Sequence, residues 1–261
     1  METVSFICTV YKHELSLVQR MVDSVDEVMQ YCPDFKYDFL IVDNSEDKGR
    51  YANLKTEHVN SKIINVDVNS GYCGGNNVGI KHSESTYIFI INPDVIVKDS
   101  LCIDWMIGIA KLNQAISGWL VGTNDWYTYA ATFPTESKYE PLQLPYYPAE
   151  PTLNKPGRWR AFKYIDGSFM CFPRNLAVDI GGFDDSIHPG YFGENAFCFK
   201  AFLAGYDIVN ANVKGHYIHK HDARSNEEQL NIYNWSKAGR QLFYEKYALP
   251  NWDKFIEYMN K

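Results

Sequence analysis

The chain has 261 residues, a length that suits one large domain or a domain with an appendage. Apolar side chains make up 46% of the residues and charged ones 22%, so the composition excludes a disordered or fibrous chain and predicts a packed core. Because 32 Asp and Glu outnumber 25 Lys and Arg, for a formal net charge of −7, little excess positive charge is present to bind a nucleic-acid backbone.

Two features predict a soluble protein of a reducing compartment. The six cysteines lie far apart and form no C-x-x-C pair, so we expect buried free thiols rather than disulfides or a metal site. The apolar run over residues 4–10 is far shorter than the roughly 20 residues that span a bilayer, and no signal-type segment precedes it. We therefore expect a cytoplasmic protein without a transmembrane segment, with peripheral membrane attachment as an alternative.

Short apolar runs alternate with helical patterns through the first 120 residues. The predicted strands cover residues 4–10, 37–42, 62–66 and 87–91, and the longest helical spacing of apolar residues covers residues 14–30. Strands rich in Val, Ile and Phe on both faces, separated by helices, indicate a parallel sheet covered on both sides. The sequence therefore predicts an α/β fold whose ligands bind at the carboxyl ends of the strands.

Polar residues follow each predicted strand at its carboxyl end. The first strand runs into Thr9 and Tyr11, the second into Asp43 and Asn44, the third into Asp67 and Asn69, and the fourth into Asp94. Any one of the acidic residues alone is typical of a helix cap or a turn. Together they predict a polar rim that suits a nucleotide and a divalent cation.

A glycine-rich segment covers residues 69–79. It matches neither the dinucleotide-binding pattern nor a P-loop. Glycines such as Gly71 allow close backbone approach, and the amides of Asn76 and Asn77 can bond to a ribose or a phosphate. A tight strand-to-helix turn is the alternative interpretation.

Taken in order, these motifs resemble those of the inverting glycosyltransferases of family 2, and the glycine/asparagine segment is similar to that of a rhamnosyltransferase-like branch. The matching segments are Thr9-Val-Tyr11, Ile41-Val-Asp-Asn-Ser45, Asn69-Ser-Gly71 through Gly79, Ile91-Asn-Pro-Asp-Val95, Asp166-Gly-Ser168 through Arg174, Ile180-Gly-Gly-Phe-Asp-Asp185 and Tyr191-Phe-Gly-Glu194 through Gly205. The resemblance implies a GT-A fold, that is, a Rossmann-like nucleotide-binding mixed sheet flanked by helices, over residues 1–225. Residues 226–261 are expected to form a C-terminal helical extension packed on that domain.

The resemblance also implies a nucleoside-diphosphate sugar donor, UDP- or dTDP-linked. Tyr11 would contact the ring face of the base, Asp43 would accept its imide hydrogen, and Thr9 would support the pocket. The other residues implied to bind the nucleotide are Asn44, Gly71, Asn76, Asn77 and Asn92.

A divalent metal, Mn²⁺ or Mg²⁺, is implied by the segment from Asn92 to Asp94, which stands where the family has its Asp-x-Asp motif. Here an amide replaces the first carboxylate, which leaves Asp94 as the principal protein ligand from this motif for an ion that would bridge to the donor diphosphate. The family often adds a later histidine. His219 is the favoured candidate and His221 the runner-up, whereas His216 points to the opposite face if this stretch is extended.

Glu194 occupies the position of the family's general base, which deprotonates the acceptor hydroxyl. Its neighbours depart from the family pattern, because Gly193 precedes it and Ala196 replaces a second acidic residue. The alternative for Glu194 is a carboxylate that stabilises a helix N-terminus, since residues 195–203 have a helical pattern.

The remaining predictions concern the acceptor and the partners. Residues 123–163 are rich in aromatics and proline and predict a lid or acceptor wall that includes Trp126 and Trp159, with ordinary packing as the alternative. Asp166 and Gly167 are expected to contact the donor sugar or the acceptor. We expect a glycan acceptor, no nucleic-acid partner and a homodimer or intramolecular packing through the C-terminal helices. A non-catalytic carbohydrate-binding or scaffold protein with the same fold is the alternative function.

Overall fold

The computed structural model describes residues 1–56, 58, 61–121, 164–213, 215–220 and 226–260. The strands are β1 (Glu2–Val10), β2 (Phe35–Asp43), β3 (Lys62–Asn65), β4 (Tyr87–Ile91), β5 (Val95–Val97), β6 (Ala115–Val121), β7 (Tyr164–Pro173), β8 (Asp207–Asn210) and β9 (Tyr217–His219). The helices are α1 (Leu15–Met29), α2 (Gly71–His82), α3 (Leu101–Asn113), α4 (Arg174–Asp179), α5 (Gly193–Leu203), α6 (Asn226–Phe243) and α7 (Trp252–Asn260). A short π-helix (Tyr244–Ala248) and a short 3-10 helix (Leu249–Asn251) join α6 to α7.

A seven-stranded sheet in the order β3-β2-β1-β4-β7-β6-β8 forms the centre of the molecule. The first four strands of this order are parallel, β7 runs antiparallel to both of its neighbours, and β8 is parallel to β6. The predicted α/β architecture with a mixed sheet is therefore confirmed. A separate two-stranded ribbon, β5 paired antiparallel with β9, lies beyond the carboxyl end of β4.

Apolar side chains cover both faces of the sheet. On one face the rings of Phe6, Phe89 and Phe169 form a row with centroid distances of 4.9 and 5.4 Å, beneath α1 and α3. The opposite face packs against α2, α4 and α5. Burial on both faces explains why the parallel strands are nearly continuous apolar runs in the sequence.

The glycine-rich segment is itself a helix, α2, rather than a turn that precedes one. Its glycines face β1 at close range: a Cβ at Gly75 would lie 2.3 Å from Thr9 Cγ2, and one at Gly79 would lie 2.3 Å from Ile7 Cγ2. Glycine lowers helix propensity by about 1 kcal/mol per residue relative to alanine. Close packing on β1 explains why glycine nevertheless occupies these positions.

The C-terminal helices pack against α5. The ring of Phe199 on α5 lies 6.0 Å from that of Phe243, 5.5 Å from that of Phe255 and 5.3 Å from that of Tyr258. A second contact joins the π-helix to the segment before α5, where Asp184 accepts a hydrogen bond of 2.7 Å from the hydroxyl of Tyr247. The extension therefore supports the helix that begins with Gly193.

All six cysteines are buried and unpaired, as expected from their spacing. No helix within the described ranges combines the length and the apolar character needed to cross a membrane.

Candidate active site

The carboxyl end of β2 holds a buried carboxylate with one unused oxygen. Oδ1 of Asp43 accepts a hydrogen bond of 2.9 Å from the backbone N–H of Ser45. Oδ2 of Asp43 is buried and has no hydrogen-bond partner among the described residues. A buried acceptor without a partner costs about 1–3 kcal/mol, so this oxygen is a candidate contact for a ligand.

Tyr11 follows β1 and lies close to the loop that follows Asp43. Its hydroxyl donates to Glu46 Oε1 at 3.2 Å, and Lys12 forms an ion pair of 2.9 Å with the same carboxylate. The backbone N–H of Lys12, a residue with φ of +57°, donates to the side chain of Ser45 at 2.8 Å. These contacts join the loops that follow β1 and β2, which places Tyr11 and Asp43 in the same region of the sheet edge.

Three polar side chains lie where β1, β2 and α2 meet: those of Thr9, Asn44 and Asn76. Thr9 Oγ1 donates to Asn76 Oδ1 at 2.9 Å, while the buried Nδ2 of Asn76 has no partner in the described part of the chain. Asn44 Nδ2 donates to the carbonyl of Gly71 at 3.1 Å, and Asn44 Oδ1 accepts from the hydroxyl of Ser70 at 3.0 Å. Asn44 therefore fixes the start of α2, and Asn76 presents a second unused polar group.

Gly71 and Asn77 attach α2 to the segment before α5. Gly71 has φ of +66°, and a Cβ there would lie 2.5 Å from the carbonyl oxygen of Pro189. Both amide atoms of Asn77 bond to the backbone of Phe183, at 2.9 Å to its carbonyl and 2.8 Å from its N–H. Both groups of the Asn77 amide are thus engaged within the protein.

Asp94 and His219 are neighbours at one end of the β5–β9 ribbon. Val95 pairs with His219 in the ribbon, and the backbone N–H of Lys220 donates to the carbonyl of Asp94 at 3.2 Å. This pairing sets His219 Nε2 3.3 Å from Oδ1 of the buried Asp94 carboxylate. Asn92 lies two residues earlier, and its backbone N–H donates to the carbonyl of Ser168 at 2.8 Å.

His216 lies at the opposite end of the ribbon, away from Asp94. Its Nδ1 is 2.8 Å from Oδ2 of Asp99, and its ring packs edge-on against Trp105 at 5.1 Å. His221 lies outside the described residues. Within the described ranges no cluster of three or more His, Cys, Asp or Glu side chains is arranged to hold a metal, so Asp94 and His219 form a two-residue set.

Asp166 lies on β7 near the carboxyl end of β4, beside an irregularity in the pairing of β6 with β7. The β6–β7 register shifts between Gly118 and Leu120, and at this point the backbone N–H of Ser168 donates to Asp166 Oδ1 at 2.8 Å. The Ser168 carbonyl in turn accepts from the backbone N–H of Asn92, which links β7 to the segment from Asn92 to Asp94. Trp126 and Trp159 lie outside the described residues.

Glu194 is the second residue of α5 and follows Tyr191 and Phe192, which both have positive φ. Burial of its carboxyl raises the pKa of Glu194 from 4.5 to about 7; the negative charge of Asp166 adds to this rise, and the Glu194 backbone N–H opposes it. A base with a pKa near 7 is well matched to proton removal at neutral pH.

Sequence reasoning missed Tyr72, which lies between the glycine-rich helix and Glu194. Its hydroxyl donates to the carbonyl of Gly167 at 2.7 Å. A Cβ at Gly167 would fall 2.6 Å from the Tyr72 hydroxyl and 3.2 Å from Glu194 Cβ, so the three residues are in close contact. Its place inside the glycine-rich motif was a signal, but spacing along the chain does not reveal a contact with a residue 95 positions later.

The family model described as "Glycosyl transferase family 2" matches residues 5–163, more than half of the chain. A search of curated proteins found no match.

Solved structures provide fold-level relatives. The mannosyltransferase PcManGT from Pyrobaculum calidifontis, in complex with GDP-Man and Mn²⁺, is similar with a TM-score of 0.54 and 15% identity, over 79% of this chain and 54% of that one. TarS from S. aureus has a TM-score of 0.49 and 16% identity, over 80% of this chain and 35% of that one. The chain thus spans about half the length of the first relative and about a third of the second. At this identity the first likeness concerns the fold, which is GT-A.

Proposed function

Because the chain belongs to glycosyl transferase family 2, we propose that it transfers a sugar from a nucleoside-diphosphate donor to a hydroxyl of a glycan acceptor, with inversion at the anomeric carbon. The observation that carries this proposal is the Glu194 carboxyl, whose pKa is raised to about 7 at the sheet edge where Asp43, Asp94 and Asp166 also lie. A titratable group shifted in this way by burial and by a second carboxylate is typical of catalytic sites.

Glu194 acts as the general base. Above pH 7 its ionised carboxylate accepts the proton of the acceptor hydroxyl while that oxygen attacks C1 of the donor sugar. The new bond joins the acceptor oxygen to C1, and the bond from C1 to the diphosphate oxygen breaks with its electron pair on the diphosphate. Attack opposite the leaving group inverts C1. Gly167 and Glu194 are in close contact, so the gap between β7 and α5 is narrow here. Asp166 and Gly167 are proposed to contact the donor sugar or the acceptor at this gap.

Asp94 and His219 would hold a divalent ion. Their side chains offer a carboxylate and an imidazole 3.3 Å apart, a donor set that suits Mn²⁺ better than Mg²⁺, which prefers oxygen ligands alone. Further ligands would come from the donor diphosphate and water, with Asn92 beside the motif. When bound, the ion would stabilise the negative charge that develops on the departing diphosphate.

The base pocket favours uracil or thymine. Among the described residues, Oδ1 of Asp43 accepts a hydrogen bond from the Ser45 backbone, and Oδ2 has no hydrogen-bond partner. Uracil and thymine present a single imide N–H, whereas guanine presents adjacent N1–H and N2–H donors, which pair best with both oxygens of a carboxylate. We therefore assign a UDP- or dTDP-linked donor, in contrast to the GDP-Man of the archaeal mannosyltransferase complex. Tyr11 would cover the ring face of the base, and the unused Nδ2 of Asn76 would donate to the ribose or a phosphate.

The other parts of the proposal concern organisation and setting. We propose membership of the rhamnosyltransferase-like branch, a catalytic domain over residues 1–225, and a helical extension over residues 226–261 that supports α5 or mediates a homodimer. Trp126 and Trp159 are proposed to contact the acceptor, a precursor of a cell-surface glycan, from a cytoplasmic or membrane-peripheral location.

A donor panel tests the function. The protein would be incubated with UDP-, dTDP- and GDP-linked sugars and Mn²⁺, and release of free nucleoside diphosphate would be measured with and without chelator. We expect slow, metal-dependent hydrolysis of a uridine or thymidine donor. If no donor is hydrolysed and no nucleotide binds in a metal-dependent way, the protein is instead a carbohydrate-binding or scaffold protein with the same fold.

A further inference from the structure

Tyr72 joins three parts of the candidate site. Its backbone N–H donates to the carbonyl of Pro189 at 2.8 Å, just before α5, and its hydroxyl donates to the carbonyl of Gly167 on β7 at 2.7 Å. The residue itself belongs to the first turn of α2, the helix that carries Asn76. Through its backbone and its side chain, Tyr72 thus connects the nucleotide side of the site to the segment that leads to Glu194 and to the strand of Asp166.

Gly190 and Gly193 lie beside Tyr72, at distances where a Cβ would make ordinary van der Waals contact with it. A Cβ at Gly193 would lie 3.7 Å from Tyr72 Cδ1, and one at Gly190 would lie 3.7 Å from Tyr72 Cβ. The ring also packs edge-on against Phe183, with centroids 5.7 Å apart. This fixed ring aims the hydroxyl at Gly167.

We propose that Tyr72 is a positioning residue: its hydroxyl holds the Asp166–Gly167 segment of β7 against Glu194 and so sets the environment of the general base. The inference rests on the proposed function for the role of Glu194, but the contact itself is independent of that role. Without the hydroxyl, the Gly167 carbonyl loses this hydrogen bond and the gap between β7 and α5 is free to widen.

Electrostatics agree with this geometry. Besides burial, the charge of Asp166 on β7 raises the pKa of Glu194, and the charge of Glu194 in turn raises the pKa values of Tyr72 and Cys73 on α2 and of Cys198 on α5. Burial, followed by the charge of Glu194, raises the pKa of the Tyr72 hydroxyl well above its ordinary value of 10, so it remains a protonated donor. A wider gap would admit water and separate Glu194 from Asp166, and both changes would lower the pKa of Glu194.

The test compares Tyr72→Phe with Tyr37→Phe. Tyr37 is the matched control because its hydroxyl also makes a hydrogen bond, of 3.0 Å to Asp26, but on the part of β2 away from the site. Glu194 is followed by carbon-13 NMR of carboxyl-labelled glutamate, with its signal assigned by its loss in Glu194→Gln. We expect Tyr72→Phe to lower the pH at which Glu194 titrates by at least about one pH unit, and Tyr37→Phe to leave it unchanged.

Kinetics supply the second readout. In Tyr72→Phe we expect kcat to fall by about tenfold while the KM for the donor stays within about twofold, because the contact orients the base rather than binding the nucleotide. A second variant, Gly167→Ala, displaces the Tyr72 hydroxyl without removing it. It should also lower the pH at which Glu194 titrates. In the double variant the two effects should not add.

The outcomes separate the two proposals. If Glu194 titrates at the same pH in folded Tyr72→Phe as in the natural protein, the positioning role of Tyr72 is overturned, whatever the activity of the variant. If Tyr72→Phe lowers the pH at which Glu194 titrates but the natural protein hydrolyses no nucleotide sugar, the positioning role of Tyr72 is upheld and the proposed function is rejected. An equal shift in Tyr37→Phe also overturns the inference, since the effect would then follow from loss of any tyrosine hydroxyl.

Discussion

Asp94 and His219 are 125 residues apart in the sequence, and their side chains lie 3.3 Å apart because β5 pairs with β9 immediately beside them. The same ribbon carries a second His–Asp pair at its other end, where His216 contacts Asp99. The two pairs differ in burial, because Asp94 is 3% exposed whereas the side chain of Asp99 is 41% exposed. The ribbon therefore offers a candidate metal site and a built-in control for it.

The first prediction concerns this pair. Asp94→Asn and His219→Ala should each weaken Mn²⁺ binding in the presence of nucleoside diphosphate by about 100-fold or more, since losing even an outer partner of a metal ligand typically costs 10–100-fold. His216→Ala should leave the affinity within about twofold. Isothermal titration calorimetry measures all three. Equal losses in His216→Ala and His219→Ala would reject the assignment of His219.

The second prediction concerns the base. UDP or dTDP should bind more tightly than GDP, and Asp43→Asn should weaken that binding by about 10–100-fold, the range expected for a hydrogen bond to a charged group. Asp34→Asn, at an exposed position just before the other end of β2, serves as the control. The measurement is calorimetric titration with each nucleotide and Mn²⁺. Preferential binding of GDP by the natural protein would contradict the pocket assignment.

The sequence predicts the sheet and much of its functional edge, because strand patterns and the residues that follow them are local. The four strands predicted in the first 91 residues are present, and Asp43 and Asp94 lie at their carboxyl ends. The choice of His219 as the histidine beside Asp94 followed from the family resemblance and from the extended pattern of its segment. Residue spacing alone did not decide between His219 and His221.

Long-range contacts set the limit of sequence reasoning. The helical state of the glycine-rich segment depends on packing of Gly75 and Gly79 against β1, which glycine propensity does not predict. Likewise, Asn77 bonds to the backbone of Phe183, 106 residues away, and the Tyr72 hydroxyl to Gly167. Each of these contacts needs the tertiary fold before a role can be assigned.

The third prediction links Glu194 to stability. Its pKa is raised from 4.5 to about 7, so the folded protein binds a proton more tightly than the unfolded chain does. The free energy of unfolding should therefore fall as pH rises from about 4.5 to about 7, by up to about 3 kcal/mol from this group. Glu194→Gln is neutral in both states and should remove this fall, which makes the variant more stable than the natural protein at pH 8.

Urea unfolding at pH 5 and pH 8 measures this effect. Glu27→Gln, at an exposed position of α1, is the control and should keep the pH dependence of the natural protein. The same pH dependence in Glu194→Gln as in the natural protein would show that the carboxyl is not destabilised by burial.

The fourth prediction concerns the C-terminal extension. A Cβ at Gly239 on α6 would lie 2.4 Å from the backbone carbonyl oxygen of Tyr191, three residues before Glu194. Gly239→Ala should lower the free energy of unfolding by roughly 1–3 kcal/mol, the usual cost of overpacking. Gly108→Ala, on α3 where a Cβ meets nothing within 4 Å, should instead raise it by about 0.5–1 kcal/mol. Thermal and urea unfolding compare the two, and equal effects would argue against a close α6 contact.

The central claim is that Glu194 removes the proton from the acceptor hydroxyl. The most direct measurement is sugar transfer by Glu194→Gln, with Mn²⁺ and the donor identified by the panel, compared with binding of the same nucleotide. We expect turnover to fall by at least about 100-fold, within the 10²–10⁴-fold contribution typical of a general base, while the Kd for the nucleotide stays within about twofold. Turnover equal to that of the natural protein would show that Glu194 is not the base.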